Sequence, residues 1–312
     1  MKALVTGGAG FIGSHVTNQL INNNIETSIL VSGFKSDNHP SIVSKKANII
    51  KGNLLHYDSL LEATKDIDVV FHIGGIVSHY CEKYPELTID TNIKGTWNLK
   101  KACVFNNVNR IIFASSSFVY GNPGIVESIK ENHPTNPKDL LGVTKLSAEK
   151  ILQSAHPHKI DYNILRLFNV YGENQYPDEL YTSVISTWIE KALNKEPLEI
   201  HDDGTQELDF IYVEDVAKAF MTVLMNEKSK NETFNIGSGI PISMKSLAML
   251  INNLTDNNEN AFFYNESHPM FLKYIQSDIN KIRLLGWYPK VSLIEGLRKS
   301  IKFYKEKGGI TY

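Results

Sequence analysis

The stretch TGGAGFIGSH, Thr6 to His15, holds the first residues able to do chemistry: Gly8, Gly10 and Gly13 form G-x-G-x-x-G, and Gly7, Gly10 and Gly13 form G-x-x-G-x-x-G. Glycines at these intervals let a strand turn tightly, let backbone N–H groups reach a pyrophosphate and let the next helix sit close on its strand. The helix N-terminus adds a preference for negative charge. The apolar KALVT before the loop and the amphipathic run after it supply that strand and helix. A dinucleotide site held by Gly7, Gly10, Phe11, Ile12 and Gly13 is expected. Farther on, His79 in GGIVSHYCEKY is of a type suited to proton transfer near neutrality, though a lone loop histidine is equally an ordinary exposed polar residue. Cys81 and Cys103 are the two cysteines and no CxxC occurs, so neither a disulfide framework nor a zinc site is expected.

Such a loop must be positioned by parallel βαβ units. Short apolar runs alternate with amphipathic stretches from KALVT through GSHVTNQLINN, TSILV, SLLEATKD, DVVFHI and NIKGTWNLKKACVFNN to RIIFAS. That alternation predicts an α/β fold, a doubly wound parallel sheet with helices on both faces. It fails after about Asn169, where YGENQYPDEL, HDDGTQ and FFYNESHPMF read as loops around helix-like SVISTWIEKALN and SLAMLINNL. This part reads as a smaller C-terminal lobe, and NNLTDNNEN as an exposed turn. The 312 residues, 42% apolar and 21% charged, are ordinary globular composition. With 32 basic and 34 acidic residues well mixed there is no basic face, and nucleic acid is not an expected partner. No apolar run approaches the ~20 residues that span a bilayer, and Met1 leads straight into KALVT without a leader pattern. A soluble, cytoplasmic protein without membrane contact is expected.

The ordered series VVFHIGG, TNIKGTWNL, RIIFASSSFVYG, TKLSAE, LRLFNVYG, DFIYVEDVA, FNIGSG and LLGWYP resembles the extended short-chain dehydrogenase/reductases, specifically the NAD-dependent epimerase/dehydratases that act on nucleotide sugars. The resemblance covers essentially the whole chain. It implies a Rossmann domain over residues 1–170, rejoined by about 208–237, and a substrate-binding lobe from 171–207 and 238–312. It also implies NAD, a nucleotide-sugar substrate, and a homodimer that pairs the NIKGTWNLKKACVF and VTKLSAEKILQSA helices of two subunits. In the family a Tyr-x-x-x-Lys pair on a helix, with a Ser or Thr at the end of a neighbouring strand, sits beside the nicotinamide. The lysine lowers the tyrosine pKa from its ordinary value of about 10, the phenolate takes a proton, and hydride passes from a sugar carbon to NAD. Carried over residue by residue, the cofactor set is the glycine loop with Ser32, Asn53, Leu54, Ile73, Gly74, Gly75, Asn92, Lys145 and Phe168. Asn92 and Thr96 in NIKGT are read first as turning a helix beneath the sheet.

The departures fall on the catalytic groups. Pro137, Gly142, Thr144 and Lys145 fit the active-site pattern, and the tyrosine position between them is Leu141. A leucine has no proton to exchange, and lost acid/base help costs roughly 10²–10⁴-fold. Ser116 takes the catalytic hydroxyl position, and Ser117 stands where dehydratases keep an aspartate, which argues against ordinary 4,6-dehydration. Substitutes for the phenol are His79, Ser116 polarised by Lys145, or a bound water. Leu208 and His268 replace arginines that clamp the substrate diphosphate. Val31 replaces the acidic residue that selects NAD, and with Ser32 and Lys35 following, the sequence is open to NADP as well. Three functions follow: a nucleotide-sugar epimerase, dehydrogenase or reductase with a relocated acid/base; an oxidoreductase on a substrate lacking a diphosphate; and a cofactor-binding protein without turnover that acts as a sensor or assembly partner.

Overall fold

The computed structural model describes residues 1–32, 45–77, 79–124, 127–154, 160–175, 183–259, 262–264 and 274–306. The alternating apolar runs form β1 (Lys2–Thr6), β2 (Glu26–Val31), β3 (Asn48–Lys51), β4 (Val69–His72), β5 (Arg110–Ser116) and β6 (Asp161–Leu167). With the later strand Glu232–Ile236 they make a seven-stranded sheet whose order is Glu232–Ile236, β6, β5, β4, β1, β2, β3. Every pairing in it is parallel. The chain starts in the middle of the sheet and reverses direction at β1/β4, so the loops after those two strands open into one crevice, where such folds bind ligands.

Because side chains alternate across a strand, each strand serves two cores. Ala3, Val5, Ile112, Ala114 and Leu165 enter the core under α1 (Phe11–Asn22) and the helix Val213–Met225. Leu4, Ile111, Phe113 and Ile164 enter the other, under α2 (Tyr57–Ala63), α5 (Gly95–Phe105) and α6 (Leu140–Gln153). Continuous apolar runs such as RIIFAS are what a strand buried on both faces requires. Between β4 and α5 lie α3 (His79–Lys83), α4 (Pro85–Ile89) and a π-helical turn, Asp90–Lys94, that runs directly into α5. The helix expected to begin near Asn92 thus begins earlier, with its first part wound wider.

The C-terminal lobe has its own core of Ile185, Trp188, Ile189, Leu198, Leu247, Ile251, Leu297 and Tyr304. Two readings of this lobe change. FFYNESHPMF contains a strand, Phe262–Tyr264, parallel to Glu199–His201; its aromatic run has strand propensity that the punctuation rule hides. NNLTDNNEN is only partly an exposed turn: its first four residues finish the helix Met244–Thr255, and Asn257 is buried, its amide donating to Glu196 O at 2.9 Å.

α6 is secured at both ends. Asp139 caps its N-terminus by accepting from Gly142 N at 2.7 Å. At the other end the buried Lys100 of α5 donates to the carbonyls of Ile151 at 2.7 Å and Ser154 at 2.8 Å. A cation on the last carbonyls is where the helix dipole favours one.

Candidate active site

The crevice after β1 and β4 is a cleft of about 120 Å³ whose walls include Thr6, Gly7, Ser32, Asn53, Leu54, Gly74 and Gly75. Of the cofactor residues expected from sequence, Gly7, Ser32, Asn53, Leu54, Gly74 and Gly75 meet in this one space. Gly7 has φ +67°, and a Cβ there would sit 2.7 Å from Gly74 Cα; a Cβ on Gly13 would sit 2.0 Å from Gly7 O. The loop backbone is therefore packed against the β4 loop without room for side chains. Gly10 caps α1 without a side-chain bond, and no acidic residue stands in the first turn, so the helix N-terminus is free to face an anion. Phe11 and Ile12 begin α1, and Ile73 follows β4. These features fit a dinucleotide pyrophosphate. At the adenosine end β2 finishes at Val31 and Ser32 lines the cleft. Asn53 turns its Oδ1 to Leu55 N at 2.9 Å. Phe168 is fully buried against Tyr120 and donates its N–H to Ile236 O.

Beneath the cleft a chain of hydrogen bonds locks the two loops to the π turn. His72 is buried with Nδ1 2.9 Å from Thr6 Oγ1 and Nε2 2.9 Å from Thr96 Oγ1. Thr96 Oγ1 donates to Asn92 O, and Thr6 Oγ1 accepts from Gly74 N. These directions fit one tautomer, Nε2–H donating to Thr96 and Nδ1 accepting from Thr6. Burial, with Lys145 adding to it, pushes His72 down to about 3, so the imidazole is neutral. Asn92 then accepts from Ile76 N at 2.8 Å and donates to Ile76 O at 2.9 Å and Thr144 Oγ1 at 3.1 Å, tying the π turn to both the β4 loop and α6. The structural role read for Asn92 and Thr96 is this clamp.

α6 carries the reactive face. Lys145 is 5% exposed, and its Nζ donates to Ala114 O of β5 at 2.8 Å. The Phe113 ring lies 4.9 Å from that Nζ, which borders the cleft 3.7 Å from the point a Cβ on Gly75 would occupy. Burial lowers Lys145 from 10.5 to about 8. Leu141 stands one turn earlier, half-buried, so the two share a helix face. Ser116 ends β5, and its Oγ accepts from Phe118 N at 3.2 Å, capping the short 3₁₀ helix Ser117–Tyr120; Ser117 is buried. The neighbouring tyrosine, Tyr120, is no replacement for a phenol at Leu141. Its hydroxyl donates to Asn235 Oδ1 at 2.7 Å and accepts from Arg166 Nη1 at 3.0 Å, and burial pushes it up to about 12.

On the substrate side, Leu208 lies in the strand Glu207–Asp209 and packs half-buried against the cluster of Val119, Tyr120, Ile129, Phe168 and Ile275. An apolar contact occupies the position where a diphosphate clamp was expected. His79 opens α3, with its side chain outside the described residues, as is all of His268.

Sequence reading missed a buried polar layer under this site. Glu149, one turn beyond Lys145, accepts from Arg166 Nε at 2.9 Å, Arg166 Nη2 at 2.7 Å and Ser115 Oγ at 2.6 Å. The signal was the arginine inside the apolar strand run LRLF, since a charge in a doubly buried strand needs a partner. Asp209 is likewise fully buried and accepts from the backbone of Ser238, Gly239 and Ser277, joining its strand to two later segments of the chain. Among the described residues no group of three or more His, Cys, Asp or Glu side chains could hold a metal, and no helix is long and apolar enough to cross a membrane.

Residues 3–237 match the sequence profile of the NAD dependent epimerase/dehydratase family. A putative UDP-glucose 4-epimerase of Methanocaldococcus jannaschii is 36% identical over 308 residues, covering 97% of this chain and 98% of the relative. Among solved structures, UDP-glucose 4-epimerase of Thermotoga maritima with UDP-glucose superposes with a TM-score of 0.91 at 28% identity, covering 98% of this chain and 99% of the other. UDP-glucose 4-epimerase of Thermus thermophilus in complex with NAD gives 0.88 at 26% identity, with 98% and 99% covered.

Proposed function

The chain belongs to the NAD dependent epimerase/dehydratase family, and from that membership we propose that it oxidises a sugar carbon of a nucleotide sugar to a transient keto sugar without a tyrosine at the usual position. The observation that carries this reading is the pairing of an intact backbone cradle for the dinucleotide with Lys145 buried at its edge, 2.8 Å from Ala114 O. A retained scaffold with no turnover has no need to bury a lysine there, where desolvation works against its charge. NAD, when bound, supplies the hydride acceptor. The glycine loop would hold its pyrophosphate, Ser32 and Asn53 its adenosine end, and Gly74, Gly75, Asn92 and Lys145 its nicotinamide half. Ser116 would hydrogen-bond the reacting sugar hydroxyl, with Ser117 and His79 as further candidates for the same step.

Residues 171–207 and 238–312 would close over the sugar nucleotide as the substrate lobe. A cytoplasmic homodimer is part of the proposal: Trp97 and Phe105 on α5 and Val143 on α6 are 41%, 70% and 43% exposed, apolar side chains on the two helices that would pair. Leu208 favours a second reading, a substrate without a diphosphate, since its packing offers that group no cation.

The test is incubation of the NAD-loaded protein with UDP-glucose, UDP-galactose and UDP-glucuronic acid, followed by product NMR and nicotinamide absorbance. Epimerised or keto product supports the first reading. If none of these shifts the melting temperature while a simple secondary alcohol does, the second replaces it. Failure to bind NAD(H) removes both.

A further inference from the structure

We propose that Lys145 itself is the acid/base of this site: its Nζ exchanges the proton of the reacting substrate hydroxyl, directly or through one bridging water. The inference rests on the nucleotide-sugar reading above but concerns a single group. Three observations lead to it.

First, among the described residues the ammonium has no carboxylate at ion-pair distance. Among the described residues Nζ makes its hydrogen bond to Ala114 O, and no carboxylate oxygen approaches within the 4.0 Å of an ion pair. Glu149, the acid on its own helix, is taken by Arg166 and Ser115. From α3 the Cys81 thiol faces Lys145, and burial pushes it up to about 11, so it is neutral. From β4 the His72 imidazole is neutral as well, and from β5 Nζ meets the Phe113 ring. Second, Nζ lies against the cleft wall at Gly75, on the same helix face as the position one turn earlier that Leu141 leaves without a proton. Third, the hydroxyls close by in sequence cannot store charge: Tyr120 is bonded on both sides, and a serine such as Ser116 relays a proton but does not hold a negative charge near neutrality. A buried amine with no carboxylate at ion-pair distance, held near 8, can do both.

The step balances. The neutral amine takes the hydroxyl proton and becomes an ammonium, the O–H electron pair forms C=O, and NAD, when bound, would supply the acceptor for the hydride that carries away the C–H electron pair. Return of the hydride to the other face gives the proton back from the same nitrogen.

The direct test is a ¹³C NMR titration of cofactor-free protein labelled at lysine Cε, in which the Lys145 resonance is assigned by its loss in Lys145→Arg. Titration with a midpoint near 8 is expected; a lysine that stays charged through pH ~10, its ordinary range, overturns the assignment. With UDP-glucose, the rate of nicotinamide reduction should rise with pH along that same midpoint. Lys145→Arg, a cation that does not give up its proton, should lose roughly 100-fold or more at every pH. A pH limb that survives unchanged in Lys145→Arg overturns the proposal. Should Lys145→Arg fail to fold, Lys145→Ala supplied with methylamine takes its place: rescue that tracks the neutral amine supports the role, and no rescue with NAD still bound counts against it. A natural chain that oxidises none of the UDP-sugars removes the substrate reading; a pH limb lost in Lys145→Arg with a simple secondary alcohol then supports the acid/base assignment, and no such limb overturns it.

Discussion

On the cofactor side of the cleft the backbone is itself the binding surface: at Gly7 and Gly13 an added methyl would fall 2.7 Å from Gly74 Cα and 2.0 Å from Gly7 O. On the substrate side the corresponding work belongs to side chains, and there Leu141 and Leu208 stand on elements whose backbones are complete, α6 and the strand Glu207–Asp209. A feature made of backbone cannot be exchanged without undoing the packing of strand on helix. A feature made of a side chain on a well-capped element can be exchanged with little disturbance. The contrast explains how one chain can keep a closely packed glycine loop beside elements that carry Leu141 and Leu208.

The contrast can be broken most forcefully from the cradle side. Gly13→Ala should cut NAD affinity by at least ~100-fold, since a 1.4 kcal/mol loss is tenfold and the new methyl must displace the Gly7 carbonyl; calorimetric titration with NAD measures it. An affinity within about threefold of the natural chain would mean the loop is looser than its contacts.

A smaller effect, of opposite sign, is expected at Lys145. Its affinity for a proton falls from 10.5 in the unfolded chain to about 8 in the fold, so below pH 8 the folded protein carries the whole penalty of a buried charge. The unfolded state binds more protons between those values, so stability rises with pH across that window. Lys145→Met should therefore stabilise the cofactor-free protein at pH 7 by about 2 kcal/mol, roughly 3 from the relieved charge less ~1 for the bond to Ala114 O. The advantage should shrink as pH rises above 8. Urea unfolding at several pH values tests this, and a destabilised variant at pH 7 would mean the ammonium has a partner that offsets its burial.

Least of all, Asp139→Ala should remove about 1 kcal/mol by taking away the N-cap of α6, with NAD affinity unchanged. A larger loss, or a loss of NAD binding, would show that the reactive helix and the cradle are one cooperative unit.

The glycine loop was legible in the sequence because glycine spacing after an apolar strand reports backbone geometry directly, whereas Ser32, Asn53, Gly74 and Gly75 came from the family resemblance. Gly7, Gly74, Gly75, Asn53 and Ser32 do meet in one cleft. The sheet was legible for the same reason, in apolar runs too continuous to face water. The other side was legible only as a gap: that Leu141 lacks a proton follows from its type, but the surroundings of Lys145 are a matter of which side chains converge. The lock of His72 on Thr6 and Thr96 joins residues 66 and 24 positions apart, and no local pattern reports it. The strand Phe262–Tyr264 escaped because turn-forming residues after it outweighed its own propensity.

The two-ended fastening of α6, by Asp139 at its start and by Lys100 on the carbonyls at its close, makes position 141 a socket. The helix stays in place without help from whatever is plugged in there, so a set of substitutions at Leu141 compares functional groups in a constant frame. Tyrosine, histidine, glutamate and serine can be tried there in turn, with the surrounding helix held constant.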